Sequence, residues 1–278
     1  MSYRYDTPTG NQQADLIYKA LGDREIMLTF LPPLKPVYEK APVYLIIPGG
    51  GWHHETRQSM IDFSAPSVET LRNQGYATVS IDYRVVSEPN VVMRNLVNDC
   101  FDALRYLVHF ADTLGIDPHR IAVSGHSAGG HLALMLAYAP QENFRDDAIF
   151  DEPYTVTAAA PMSPPTVLYL PGYHGLGDLA NRFQGCNTKE ERMATSPDTY
   201  ITSKCLPTLL VAGTSDHLVY SKSSEVVYDK LVEAGVEAQL VLSVCGGHCF
   251  EQIHPTLYPS PNMDDMQKLI TNFILRHA

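Results

Sequence analysis

Residues Gly125-His126-Ser127-Ala128-Gly129-Gly130 follow the strand-like run Arg120-Ile121-Ala122-Val123-Ser124 and lead into the helix-like run His131-Leu132-Ala133-Leu134-Met135-Leu136. A serine therefore sits at a strand-to-helix turn, between residues small enough for a tight backbone. A Gly-x-Ser-x-Gly string alone is weak evidence. Between a buried strand and an apolar helix it reads as a nucleophile elbow, which projects the serine hydroxyl above the end of a sheet.

Working outward, the start of the chain reads as polar and irregular, and Ile26-Met27-Leu28-Thr29-Phe30-Leu31 as an early strand ended by Pro32 and Pro33. Val43-Tyr44-Leu45-Ile46-Ile47 is the first strong core strand. A helix is expected over 61–74, stopped by Gly75, then a strand Ala77-Thr78-Val79-Ser80-Ile81. From Val92 to Leu114 apolar residues recur in steps of three and four, the pattern of a helix with one face on a sheet. Beyond the elbow come strands at Val156-Thr157-Ala158-Ala159-Ala160, Thr208-Leu209-Leu210-Val211-Ala212 and Gln239-Leu240-Val241-Leu242-Ser243-Val244, with helices over 221–234 and 263–276. Continuously apolar strands separated by helices predict an α/β fold. Its central sheet is mostly parallel and flanked by helices on both faces, a three-layer sandwich. No long Pro/Gly/Ser linker divides residues 1–278, so one domain is expected. The stretch 163–204, rich in Pro, Gly and Tyr, breaks the rhythm and is expected to form a partly helical cap or substrate loop.

A serine hydroxyl is a poor nucleophile at neutral pH and needs a base, with a third group orienting that base. The chain offers Ser127, Asp216 and His248 in the order this sheet architecture favours. Asp216 lies in Gly213-Thr214-Ser215-Asp216-His217, directly after a core strand; Asp178 and Asp198 are alternatives without such a strand before them. His248 lies in Gly246-Gly247-His248-Cys249-Phe250, past the last strand, where small residues let the chain turn back over the sheet and Phe250 can anchor the loop. His126 and His131 are nearer the serine in sequence but are expected to face the scaffold.

The tetrahedral intermediate of acyl transfer needs donors aimed at its oxygen. Gly49-Gly50-Gly51 follows a buried strand, so the N–H groups of Gly50 and Gly51, with that of Ala128, form a candidate oxyanion hole. Trp52, the sole tryptophan, and His53 and His54 come next, near the mouth of the site. Trp52 serves equally as packing anchor or substrate wall. Trp52, His53, Tyr169 and Tyr173 are the candidate pocket residues.

The 20 basic and 31 acidic side chains give a net charge of −11 with no basic block, which argues against nucleic acid and anionic membrane as partners. No run approaches about eighteen apolar residues, so no membrane span is expected. Met1-Ser2-Tyr3-Arg4-Tyr5 has no apolar secretory core, which predicts a cytoplasmic protein. Five cysteines, Cys100, Cys186, Cys205, Cys245 and Cys249, cannot all pair within the chain and read as free thiols. Cys245, His248 and Cys249 lack a fourth ligand for a closed metal site, so no metal is expected.

With these residues in place, the chain over about 40–278 resembles the alpha/beta-hydrolase superfamily. It is similar within it to hormone-sensitive-lipase-type esterases and to small bacterial carbohydrate-acyl or feruloyl-esterase-like proteins. That group carries His-Gly-Gly-Gly-Trp after its third strand; here the stretch is Pro48-Gly49-Gly50-Gly51-Trp52, with Pro48 in place of the histidine. Asp82-Tyr83-Arg84 and Pro89 resemble its Tyr-Arg motif and following proline, and Ser196-Pro197 the Ser-Pro pair before the acid's strand. The resemblance implies a serine-dependent carboxylic ester hydrolase that needs no cofactor. Its expected partner is a small-molecule ester, acetyl or another short acyl group on a carbohydrate; homo-oligomerisation is left open. The alternatives are an arylformamidase-like amidohydrolase, a serine peptidase, and a non-catalytic binding protein on the same fold.

Overall fold

Val43, Leu45 and Ile47 point to one face of the strand they share, and Tyr44 and Ile46 to the other, yet all five are fully buried. A strand covered on both sides belongs inside a layered sandwich. The computed structural model describes residues 4–54, 56–146, 148–170, 172–173 and 188–278. The chain begins with β1 (Ala14–Leu21), β2 (Arg24–Leu31) and β3 (Ala41–Ile47), then α1 (Arg57–Phe63), α2 (Ala65–Asn73) and β4 (Ala77–Ile81). Next come α3 (Met93–His109), α4 (Ala111–Leu114), β5 (Ile116–His126), α5 (Ala128–Tyr138) and β6 (Val156–Met162). The last part holds α6 (Lys189–Ala194), β7 (Thr208–Gly213), α7 (Lys222–Glu233), β8 (Ala238–Ser243) and α8 (Met263–His277).

The strands form one sheet in the order β1-β2-β4-β3-β5-β6-β7-β8. β1, β2 and β4 pair antiparallel, and every pairing from β4 to β8 is parallel. Leu104, Leu132, Leu134 and Leu231 of α3, α5 and α7 pack on the face that carries Val43 and Leu45. Met60, Leu71, Ile270 and Ile274 of α1, α2 and α8 cover the face that carries Tyr44 and Ile46. The three layers are those expected, and the carboxyl ends of the parallel strands collect along one rim.

Three local readings change. Ala14–Leu21 is a strand rather than an irregular start. Its Lys19 is fully buried and donates to Asp99 (2.8 Å) and Asp102 (2.6 Å) of α3, so this charge belongs to the core. The helix expected over 61–74 is two helices broken at Ser64. Pro66 cannot donate to the carbonyl of Asp62, and its ring crowds that carbonyl. The segment 92–114 is likewise split at Phe110, and Gly115 closes α4 with φ 66°. Among the described residues no helix is long and apolar enough to cross a membrane.

Candidate active site

Ser127 follows β5 directly, at φ 55° and ψ −119°, a conformation that costs a non-glycine residue energy and that surrounding packing must hold in place. Its N–H donates to the carbonyl of Met162 (2.8 Å), and its carbonyl accepts from the N–H of His131 (3.0 Å). The need for glycine at 129 is steric: a Cβ there would stand 2.0 Å from the Ile47 carbonyl oxygen. That close approach brings the start of α5 against the end of β3, where the Gly49-Gly50-Gly51 run begins.

Asp216 lies three residues past β7 with its carboxylate fully buried. Its Oδ1 accepts from the N–H groups of Leu218 (2.8 Å) and Val219 (2.9 Å), which leaves Oδ2 to accept from Nδ1–H of His248 at 2.6 Å. That bond fixes the tautomer, so Nε2 of His248 is the basic nitrogen. The ring is 13% exposed. Its loop turns back through Cys245 (φ 61°) and Phe250 (φ 60°), and the buried Phe250 anchors it as expected.

Ser127, His248 and Gly49-Gly50-Gly51 line one cavity of about 550 Å³. Met60, Phe63 and Leu218 give it apolar surface, and His54, Ser59 and His126 polar surface. Among the described residues no hydrogen bond joins Ser127 Oγ to the His248 ring; such contacts often tighten only when substrate binds. Gly50 has φ 127°, and a Cβ on it would lie 2.0 Å from the His54 carbonyl oxygen, so the glycine loop closes on itself beside the serine. The carbonyl of Pro48 accepts from the Tyr83 hydroxyl (2.7 Å), which fixes the entry to that loop. Ala128 opens α5, so its N–H is among those the helix itself leaves unpaired.

None of the four residues expected to line the pocket is among the described residues around this cavity. Trp52 is 1% exposed, and its Nε1–H donates to Nδ1 of His131 (3.2 Å); it is a packing anchor. His53 is absent from the described lining, where His54 takes its place; its carbonyl accepts from Ser87 Oγ (2.8 Å). The Tyr169 hydroxyl donates to Asp198 Oδ2 (2.9 Å), and the Tyr173 ring lies 4.9 Å from Lys222 Nζ. Asp198 is committed to Tyr169 and Lys230, while Asp178 and Cys186 lie outside the described residues. Of the loop expected at 163–204, the described part contains α6 and a short 3₁₀ turn at Pro197–Thr199.

His131 faces the scaffold as expected: Nε2–H donates to the Thr195 carbonyl (2.7 Å), and burial lowers its pKa to about 4. His126 does not, since it lines the cavity with its ring 4.8 Å from those of Phe63 and His248. Burial, aided by the neighbouring His248, lowers its pKa to about 4 as well. Sequence reasoning missed Met60, Phe63 and Leu218, whose place at the cavity depends on where α1 and the loop after β7 return. The Cys249 thiol is pushed up to about 11, by desolvation and then by Glu251 and Asp216, so it stays protonated at neutral pH. Among the described residues no group of three His, Cys, Asp or Glu side chains is arranged to hold a metal ion.

This sheet order, with a serine at the elbow after β5 and the acid and histidine past the ends of β7 and β8, defines an alpha/beta hydrolase. A family model, BD-FAE, matches residues 30–231, and the chain belongs to that family. It is similar to Esterase LipQ of Mycobacterium tuberculosis, 26% identical over 81% of this chain and 53% of LipQ. It is also 32% identical to the non-reducing polyketide synthase atr1 of Stereocaulon alpinum, over 51% of this chain and 5% of that protein. The chain thus spans about half the length of these curated relatives or much less. Among solved structures it resembles a propionate-bound thermophilic esterase, Est2, of the Planctomycetes species Thermogutta terrifontis. The two are 25% identical over 96% of this chain and 94% of that one, with a TM-score of 0.77.

Proposed function

We propose that the protein is a serine-dependent carboxylic ester hydrolase for short acyl groups, acetyl first, carried on small alcohols such as sugars. The observation that carries this reading is the strained Ser127 sharing one cavity with the His248 ring that Asp216 holds. Nε2 of His248 takes the proton from Ser127 Oγ as that oxygen bonds to the acyl carbon. The carbonyl oxygen becomes an oxyanion among the N–H groups of Gly50, Gly51 and Ala128. As the intermediate collapses the ester C–O bond breaks, and His248 gives its proton to the leaving alcohol. Water then attacks the acyl-serine by the same route and releases the acid and the free serine.

Support for a short acyl group comes from the Est2 structures, described as propionate bound and butyrate bound. The polar His54 and Ser59 suit a hydroxylated alcohol better than a lipid tail. A cytoplasmic setting, with imported oligosaccharide esters or small metabolites as substrates, belongs to the same proposal. Labelling by a fluorophosphonate probe is expected for the native chain and not for Ser127→Ala. Nitrophenyl esters of graded length are expected to show rates falling sharply beyond about four acyl carbons. Sustained rates at eight carbons or more would overturn the short-acyl part, and faster cleavage of N-formylkynurenine than of p-nitrophenyl acetate would move the reading to formamides.

A further inference from the structure

The proposed base sits on a loop that leaves β8, the edge strand of the sheet, and must reach a serine three strands away on β5. Asp216 holds one ring nitrogen of His248, and that contact alone leaves the imidazole free to swing about it. The main chain of His248 is held separately. Its carbonyl oxygen accepts from His126 Nε2–H at 2.9 Å and from Ser163 Oγ–H at 3.1 Å. The first donor belongs to the residue before the nucleophile and the second to the residue after β6.

Both donors are themselves constrained. Ser163 is fully buried at φ 45°, with its N–H on the Val211 carbonyl (2.8 Å) and two prolines, Pro164 and Pro165, following it. A strained non-glycine residue persists where its surroundings over-determine it, and such residues gather at functional sites. The His126 ring is packed between those of Phe63 and His248. A carbonyl can only accept, so Nε2 of His126 carries the hydrogen, and a ring desolvated this far stays neutral at pH 7. His126 therefore cannot serve as the base through Nε2, which is already donating.

We propose that His126 and Ser163 form a two-donor clamp on the main-chain carbonyl of His248 and so set the distance and tilt of the base relative to Ser127. They are positioning residues, and the inference rests on the reading of Ser127, Asp216 and His248 as the reacting triad. It ties the loop of the base to the same strand end that presents the nucleophile, so the two move as one unit.

The test uses His126→Phe, which keeps the ring packing but removes the donor, and His126→Gln, whose amide N–H can reach the same carbonyl. Ser163→Ala and the double variant His126→Phe/Ser163→Ala complete the set. Readouts are kcat and KM on p-nitrophenyl acetate, the rate of Ser127 phosphorylation by paraoxon, and the thermal midpoint. The clamp predicts that His126→Phe lowers kcat by about ten- to a hundredfold with KM little changed, and slows phosphorylation in parallel. His126→Gln recovers most of the loss, Ser163→Ala costs a few-fold, and the double variant loses more than the product of the singles. The proposal is overturned if His126→Phe keeps kcat within twofold, if it raises KM alone, or if His126→Gln is as impaired as His126→Phe at an unchanged thermal midpoint. Ser127→Ala and His248→Ala separate the two levels: activity surviving in either breaks the triad reading, whereas its loss in both with an active His126→Phe breaks only the clamp.

Discussion

Acid should weaken this fold through one residue in particular. His131 is fully buried on α5; Nδ1 accepts from the Trp52 indole and Nε2–H donates to Thr195, so a second ring proton would point at the indole N–H. Burial holds its pKa at about 4, against an ordinary value of 6.5. The unfolded chain takes up a proton near the ordinary value and the folded chain refuses it until about 4. Stability from the neutral ring is therefore complete above the unfolded value and is lost as pH falls between the two. At pH 5 the loss through His131 is about 2 kcal/mol, and below pH 4 it approaches about 3 kcal/mol.

The comparison needed is with His131→Gln, whose amide can accept from Trp52 and donate to Thr195 without titrating. Urea unfolding followed by fluorescence reports directly, because Trp52 is the only tryptophan and touches the residue in question. Other acid-sensitive groups, His126 among them, act in both proteins and cancel in the difference. Between pH 7.5 and pH 5 the native chain should lose about 2 kcal/mol more than His131→Gln. Parallel losses in the two proteins would refute the argument, since they would mean that His131 titrates alike in both states.

Other substitutions test separate links. Gly129→Ala places a Cβ 2.0 Å from the Ile47 carbonyl and should cost about 3 kcal/mol or more, read as a lowered thermal midpoint with lost activity. Normal stability there would mean that α5 can shift away from β3. Asp216→Asn should reduce kcat on p-nitrophenyl acetate about 10³–10⁴-fold while the thermal midpoint changes little, because the wrong tautomer then faces the serine. A loss below tenfold would remove Asp216 from the triad. Lys19→Met leaves Asp99 and Asp102 buried with one cation fewer between them and should cost about 3 kcal/mol in urea unfolding. Unchanged stability would show that Arg84 and Arg105 alone satisfy the two carboxylates.

The parallel half of the sheet was legible because strands buried on both faces are apolar without interruption, and the elbow because its glycines are required by contact. Asp216 and His248 could be singled out because each follows a predicted strand through a short turn of small residues, Gly213-Thr214-Ser215 and Cys245-Gly246-Gly247. What escaped depends on partners distant in sequence. Lys19 looks like a surface charge until Asp99 and Asp102 of α3 come to it, so β1 was unreadable locally. The break at Ser64 did carry a signal, Pro66, which the apolar spacing of 61–74 masked. The pocket was least legible: Tyr169 turns to Asp198 and Trp52 into the core, while Met60 and Phe63 reach the cavity only because α1 folds back beside it.

The exchange of histidine for Pro48 shows how the chain keeps its glycine loop ordered. A proline has no N–H to give and a fixed φ, so it stiffens the entry to the loop without adding a donor. Order is added at both ends by groups outside the loop: the Tyr83 hydroxyl holds the Pro48 carbonyl, and His131 holds the Trp52 indole. Between these anchors Gly50 and Gly51 bend beside Ser127. Five of the six non-glycine residues with positive φ among the described residues, Trp52, Ser127, Ser163, Cys245 and Phe250, lie on this same rim of strand ends. Such backbone is tolerable only over a rigid base, and the base is the sheet interior, where Val43, Leu45, Ile121 and Val123 are wholly buried. The core is thus what lets the rim stay strained, and the strained rim is what keeps nucleophile, donors and base together.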